Sequence, residues 1–143
     1  MPSLEGNIEW LNSTTTVIEL TGHPTLVQFW AISCPVCKHN MPKLQQFITD
    51  YCEEGLALIS IHMPRMEADM DLVRVAQAMQ EIKLMGSCAI DNQHILGDRF
   101  HMTGLWPTYF LFDAKMRLRS RAAGSMGIKM AENSLKRLLL EGI

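Results

Sequence analysis

Two thiols separated by two residues, in the run Cys34-Pro35-Val36-Cys37, are the side chains of this sequence best suited to chemistry. A pair at this spacing can close into a disulfide and reopen, passing two electrons each time. The same pair can also be half of a zinc site, but structural zinc takes four closed ligands and usually a second such pair or spaced histidines. Here Cys52 and Cys88 stand alone, and His23, His39, His62, His94 and His101 show no i, i+4 pairing around a carboxylate. Redox use is favoured over zinc.

The neighbouring residues decide which thiol reacts. Leu26, Val27, Phe29, Trp30 and Ala31 make a short apolar run that reads as a buried strand, and the cysteines follow where that strand should hand over to a helix. Pro35 suits the first helical position, where a missing N–H costs nothing and a fixed φ already fits, so Cys34 becomes the cap residue. Its sulfur then faces the positive end of a helix. In C-x-x-C motifs this lowers a cysteine pKa from ~8.5 to roughly 3.5–7.5. Cys34 is the expected nucleophile, and Cys37, one turn further in and less exposed, the resolving partner.

Positioning these thiols falls to elements that hydrophobic spacing and turn residues outline. Residues 7–11 and 14–20 are β-prone pieces around Asn12-Ser13, expected as lead-in strands over 1–20, and 25–31 is the central strand. Met41, Leu44, Phe47, Ile48 and Tyr51 form the inward stripe of the first helix, with Pro42 inside it predicting a kink. A second buried strand spans 56–61, and residues 62–65 leave it as a loop. Leu72, Val75, Ala76, Met79 and Ile82 mark the next helix, with Asp69 and Asp71 in its first turn. A strand over 87–90 precedes a brief helix capped by Asp91, which carries Leu96 and Phe100. Strands over 108–112 and 116–122 pair through a turn, and a last helix with Ile128, Ala131, Leu135, Leu138 and Leu139 inward takes Ser125 as its cap. This alternation implies one α/β domain over 1–143, its core over 25–143, with a mixed sheet between helices and the reactive turn at a strand's carboxyl end.

Composition narrows the partners. A net charge of −2, with no cluster of Lys and Arg, argues against nucleic acid. Arg117, Arg119 and Arg121 alternate with apolar or small residues, as on a half-exposed strand. No apolar run approaches the ~18 residues of a membrane span. No basic stretch followed by an apolar one opens the chain, so a cytoplasmic location is expected; an exported or membrane-anchored one follows if a leader was removed.

The run Phe29-Trp30-Ala31 before Cys34-Pro35-Val36-Cys37-Lys38, Pro42 in the same helix, and Gly104-Leu105-Trp106-Pro107-Thr108 before Phe110-Leu111 resemble the thioredoxin superfamily, and within it the TlpA-like and ResA-like thiol-disulfide oxidoreductases. The resemblance implies a three-layer α/β/α fold with a central mixed sheet. It also implies disulfide exchange with protein partners through a mixed disulfide on Cys34, resolved by Cys37, with a reductant or oxidant that the sequence does not name. Pro107 matches the cis-proline that lies against the redox pair, exposing the backbone of Trp106 to an extended partner chain. Pro35, Val36, Trp30 and Trp106 are expected to contact substrate, Trp30 being equally readable as plain core. Neither metal nor cofactor is called for, and a monomer is expected.

Three departures from the family pattern stand out. Gln28 replaces an acid six positions before the first cysteine, Asn40 replaces a Glu three after the second, and Ser33 replaces a Trp. Neither amide can take up a proton, which leaves water or His39 to assist Cys37 and predicts long-lived mixed disulfides. Cys52 and Cys88 are expected to be inert small hydrophobes. Other readings are a Sco-like copper module that borrows His94 or His101, and a redox-silent binding module that the missing acids favour. A peroxidase is disfavoured, because peroxiredoxins carry Thr where this chain has Ala31.

Overall fold

The computed structural model describes residues 1–142. Six strands form one mixed sheet in the order β1-β4-β3-β2-β5-β6, where β1 is Glu9–Leu11, β2 Thr25–Trp30, β3 Ala57–His62, β4 Ser87–Ile90, β5 Thr108–Phe112 and β6 Leu118–Ala123. β2 lies parallel to β3 and antiparallel to β5, so both its edges are hydrogen-bonded and all six of its residues are buried. That explains its apolar, β-branched and aromatic composition.

Side-chain alternation along β2 divides the core in two. Leu26 and Trp30 point into one cluster and Val27 and Phe29 into the other. The first cluster is covered by three helices: α2 (Pro35–Asp50), α3 (Leu72–Glu81) and α5 (Gly127–Leu140). Their stripes include Met41, Leu44 and Phe47 of α2, Val75 and Met79 of α3, and Ile128, Ala131, Leu135 and Leu138 of α5. On the opposite face lie α1 (Val17–Leu20), α4 (Ile95–Arg99) and Leu4, over edge-to-face contacts of Phe100 with Phe29, Phe110 and Phe112. Each such side chain contributes about 1.5–3 kcal/mol when fully buried. No helix among the described residues is long and apolar enough to cross a membrane.

The expected lead-in strands hold for only one of the two pieces. β1 pairs antiparallel with β4, Trp10 opposite Ala89, but the stretch read as a second strand holds α1. Thr16 caps that helix, its hydroxyl accepting from the Glu19 amide at 3.3 Å. The β-branched run from Thr14 to Ile18 suggested extended chain, yet Thr16-x-x-Glu19 is the capping-box pattern, and the local cap prevails.

Other differences have similarly local causes. Asp71 alone caps α3, accepting from the Val73 and Arg74 amides, while Asp69 is buried in a preceding 3-10 turn. Ser125 is exposed and α5 starts after Met126 without a side-chain cap. Asp91 does serve α4, its two carboxylate oxygens accepting from the Leu96 and Gly97 amides at 2.9 and 2.7 Å.

Candidate active site

β2 ends at Trp30, a short turn follows with the Cys34 amide donating to the Ala31 carbonyl, and α2 starts at Pro35. Cys34 is the N-cap in extended conformation, φ −94° and ψ 107°, and its Sγ accepts from the Cys37 amide at 3.2 Å. The cap that an oxygen usually provides is here a sulfur. Cys34 and Cys37 are joined as a disulfide, with their Cα atoms 5.3 Å apart. Both residues are nearly buried, 2% and 1% exposed, so the N–H···S bond, rather than exposure, distinguishes Cys34 from its partner.

A shell of buried polar groups surrounds the pair. Gln28 lies under α2, its amide donating to Ser60 Oγ at 2.9 Å and weakly to Met41 Sδ at 3.9 Å. Asn40, one turn beyond Cys37, donates to the Tyr109 hydroxyl at 3.1 Å and the Gly124 carbonyl at 3.2 Å. The Gly124 carbonyl can only accept, which fixes the amide orientation and leaves Asn40 Oδ1 buried without a partner among the described residues. Burial pushes the Tyr109 hydroxyl up to about 12, partly opposed by the Asn40 bond.

His62, expected in a loop, is instead the buried last residue of β3. Its Nε2 accepts from the Ile32 amide at 3.1 Å, which assigns the proton to Nδ1, a donor with no partner among the described residues. Burial lowers its pKa to about 4, with nearby Asp69 pulling the other way. The Asp69 carboxylate accepts from Ser33 Oγ at 2.7 Å and from the Arg65 amide at 2.9 Å, and Arg65 Nη1 donates to the Ser33 carbonyl at 2.9 Å. Ser33 thus joins the turn before Cys34 to the chain leaving β3.

The Trp106–Pro107 bond is cis and Pro107 is buried. The Trp106 indole donates to the Met63 carbonyl at 2.9 Å, and Thr108 Oγ1 to the Leu105 carbonyl at 2.7 Å. Among the described residues no other backbone group takes the N–H or C=O of Trp106. Cys34, Pro35, Val36, Arg65, Gly104, Leu105 and Trp106 line a groove of about 400 Å³. A larger apolar groove between α2 and α5, about 660 Å³, includes neither sulfur.

The expected site residues are only partly brought together. Cys34, Pro35, Val36 and Trp106 share the groove, but Trp30 does not: it is fully buried, edge-to-face with His62 at 4.9 Å. Its ring lies in the cluster covered by α2, α3 and α5, with no path to a substrate. His39 is exposed, and two positions along α2 from Cys37 it occupies a different face. His94 meets the Pro64 carbonyl, and among the described residues no three His, Cys, Asp or Glu side chains come together, so neither His94 nor His101 completes a copper site. Cys88 is buried, its thiol pushed up to about 12 by desolvation, whereas Cys52 is exposed rather than a packed hydrophobe. Arg65, Asp69 and His62 carry no periodic signal in the sequence; only their position just past a buried strand hints at them.

The AhpC/TSA family model matches residues 2–121. The chain belongs to that family. It is similar to thiol-disulfide oxidoreductase YkuV of Bacillus subtilis, at 37% identity over 142 residues that cover 99% of this chain and 95% of that protein. Sporulation thiol-disulfide oxidoreductase A of the same organism is 25% identical over 105 residues, 73% of this chain and 62% of that one. Among solved structures, a thioredoxin-like protein in its oxidised form superposes with a TM-score of 0.86 at 37% identity, covering 99% of this chain and 95% of that one. This AhpC/TSA member is a thioredoxin-like thiol-disulfide oxidoreductase, its close cysteine pair being Cys34 and Cys37.

Proposed function

We propose that Cys34, as a thiolate at the N-terminus of α2, attacks one sulfur of a protein disulfide. A bond forms between Cys34 Sγ and that sulfur, and the other target sulfur leaves as a thiolate that takes a proton from water. Cys37, deprotonated, then attacks Cys34 Sγ and releases the second target thiol. Two electrons have passed from the pair to the target, and a dithiol reductant must return them. The observation that carries this assignment is the Cys37 amide donating to Cys34 Sγ at 3.2 Å, which favours negative charge on that sulfur.

The free backbone of Trp106 supports an extended partner chain pairing there, with its disulfide held in line with Cys34. With Gln28 and Asn40 both neutral amides and His39 on another helix face, water is left to take the Cys37 proton. The second step is then the slow one. Thiols, groove and peptide edge all come from one chain, which is consistent with a working monomer.

An insulin-type reduction assay tests the assignment. Wild type turns over, Cys34→Ser is inactive, and Cys37→Ser stops as a trapped mixed disulfide; equal activity in all three removes the reading.

A further inference from the structure

We infer that Arg65 makes the groove beside Cys34 select protein disulfides that carry an acidic side chain next to the target cysteine. The inference rests on the reading that exchange takes place in this groove, and it names the substrate class.

Arg65 is the one charged side chain lining the groove; the others are Cys34, Pro35, Val36, Gly104, Leu105 and Trp106. Its position is fixed twice, by its amide on Asp69 Oδ2 and by Nη1 on the carbonyl of Ser33, the residue before the nucleophile. That single side-chain bond leaves most of the guanidinium N–H donors unused. No carboxylate among the described residues forms an ion pair with it. Asp69 is 1% exposed and already accepts from Ser33 and from the Arg65 amide, so it cannot turn out to neutralise the charge.

A tethered guanidinium with free donors is shaped for a carboxylate, which it can grip with two parallel bonds. The rest of the groove chooses where that carboxylate comes from. Leu105 and Val36, 56% and 36% exposed, and the ring of Trp106 give an apolar wall, and the Trp106 backbone gives a peptide edge. An extended segment uses all three at once: its backbone on Trp106, its cysteine at Cys34, and an Asp or Glu on Arg65. A small disulfide with carboxylates would leave the edge and the wall unused.

The test uses three disulfide-bonded peptides that differ only in Asp, Gln or Lys beside the target cysteine, each reduced in a single turnover by the dithiol form of the protein. Wild type is expected to prefer Asp over Lys by about tenfold, less at high salt. In Arg65→Ala the ratio falls to within about twofold, and in Arg65→Glu it inverts. Effects of the substitution on folding or on Cys34 reactivity change all three rates together and cancel in the ratio. An unchanged Asp-to-Lys ratio in Arg65→Ala overturns the inference, as does a loss seen only with glutathione disulfide, which would assign the charge to a small substrate. If no peptide is reduced by any form, exchange itself is lost and the selectivity with it.

Discussion

The two ends of the sheet treat buried polar groups in opposite ways. Where β5 turns toward β6, Asp113 is fully buried and its carboxylate accepts four hydrogen bonds, from the Lys115 and Arg117 amides, Arg117 Nε and Arg119 Nη1. Burial alone would raise its pKa; the bonds from Arg117, Arg119 and Lys115 outweigh that and hold it below the usual carboxylate range. At the end where β2 hands over to Cys34, the Asp69 carboxylate is satisfied by Ser33 and the Arg65 amide, but two neutral buried groups carry spare capacity: Asn40 Oδ1 and His62 Nδ1 have no partner among the described residues. Saturated valence fixes a turn. Unsaturated buried valence carries a cost in stability.

The largest expected effect tests the unsaturated end. His62 titrates near 4 folded against about 6.5 unfolded, so the unfolded chain binds a proton first as pH falls. Its contribution is intact above about pH 6.5 and is lost progressively toward pH 4, by about 3 kcal/mol. Urea titrations across that range should show the loss in wild type and a flatter profile in His62→Asn. Asp113→Ala is next, costing about 2 kcal/mol through unpaired turn donors while insulin reduction stays within about twofold of wild type. Because the Asp113 pKa is depressed, its stabilisation is present above about pH 4 and disappears as pH falls below it, so the variant should lose least relative to wild type in acid.

Two glycines then grade the tightness of the redox end. A Cβ on Gly127 would sit 2.5 Å from Tyr109 Cδ2, a ring that cannot fold away, so Gly127→Ala should cost about 1–2 kcal/mol in thermal unfolding. On Gly97 it would meet Met63 Sδ at 2.7 Å, a flexible side chain, so Gly97→Ala should cost about 1 kcal/mol or less. Equal costs would mean that the Tyr109 contact is no tighter than an ordinary core contact.

What local pattern encodes was legible in the sequence. The Cys34 cap, Pro35 at the first helical position, the apolar β2 and the stripes of α2, α3 and α5 all follow from spacing and backbone chemistry. The misreadings fall where a distant neighbour decides. Trp30 reads equally as rim or core in the sequence, and what encloses it is the cluster under the three long helices and the His62 ring 32 positions on. Asp69 is an acid that fits a first helical turn equally well, and Ser33, 36 positions away, joins the Arg65 amide in drawing it inward. Arg65 shows no periodicity, since its anchor is a carbonyl 32 residues distant. α1 is different in kind: its capping box stands in the sequence and outweighs the β-propensity of Thr14 to Ile18.

β6 is an outer strand paired on one side alone, and it carries its arginines in a fixed array. Arg119 is clamped between Asp113 and Glu141, and Arg121 lies over the Phe110 ring while donating to the His101 carbonyl. A strand from another molecule that tried to extend the sheet sideways would meet these guanidiniums first. The β5–β6 register shift near Leu111 also twists the border away from a flat template. Concentrated protein is thereby guarded against edge-to-edge aggregation on this side.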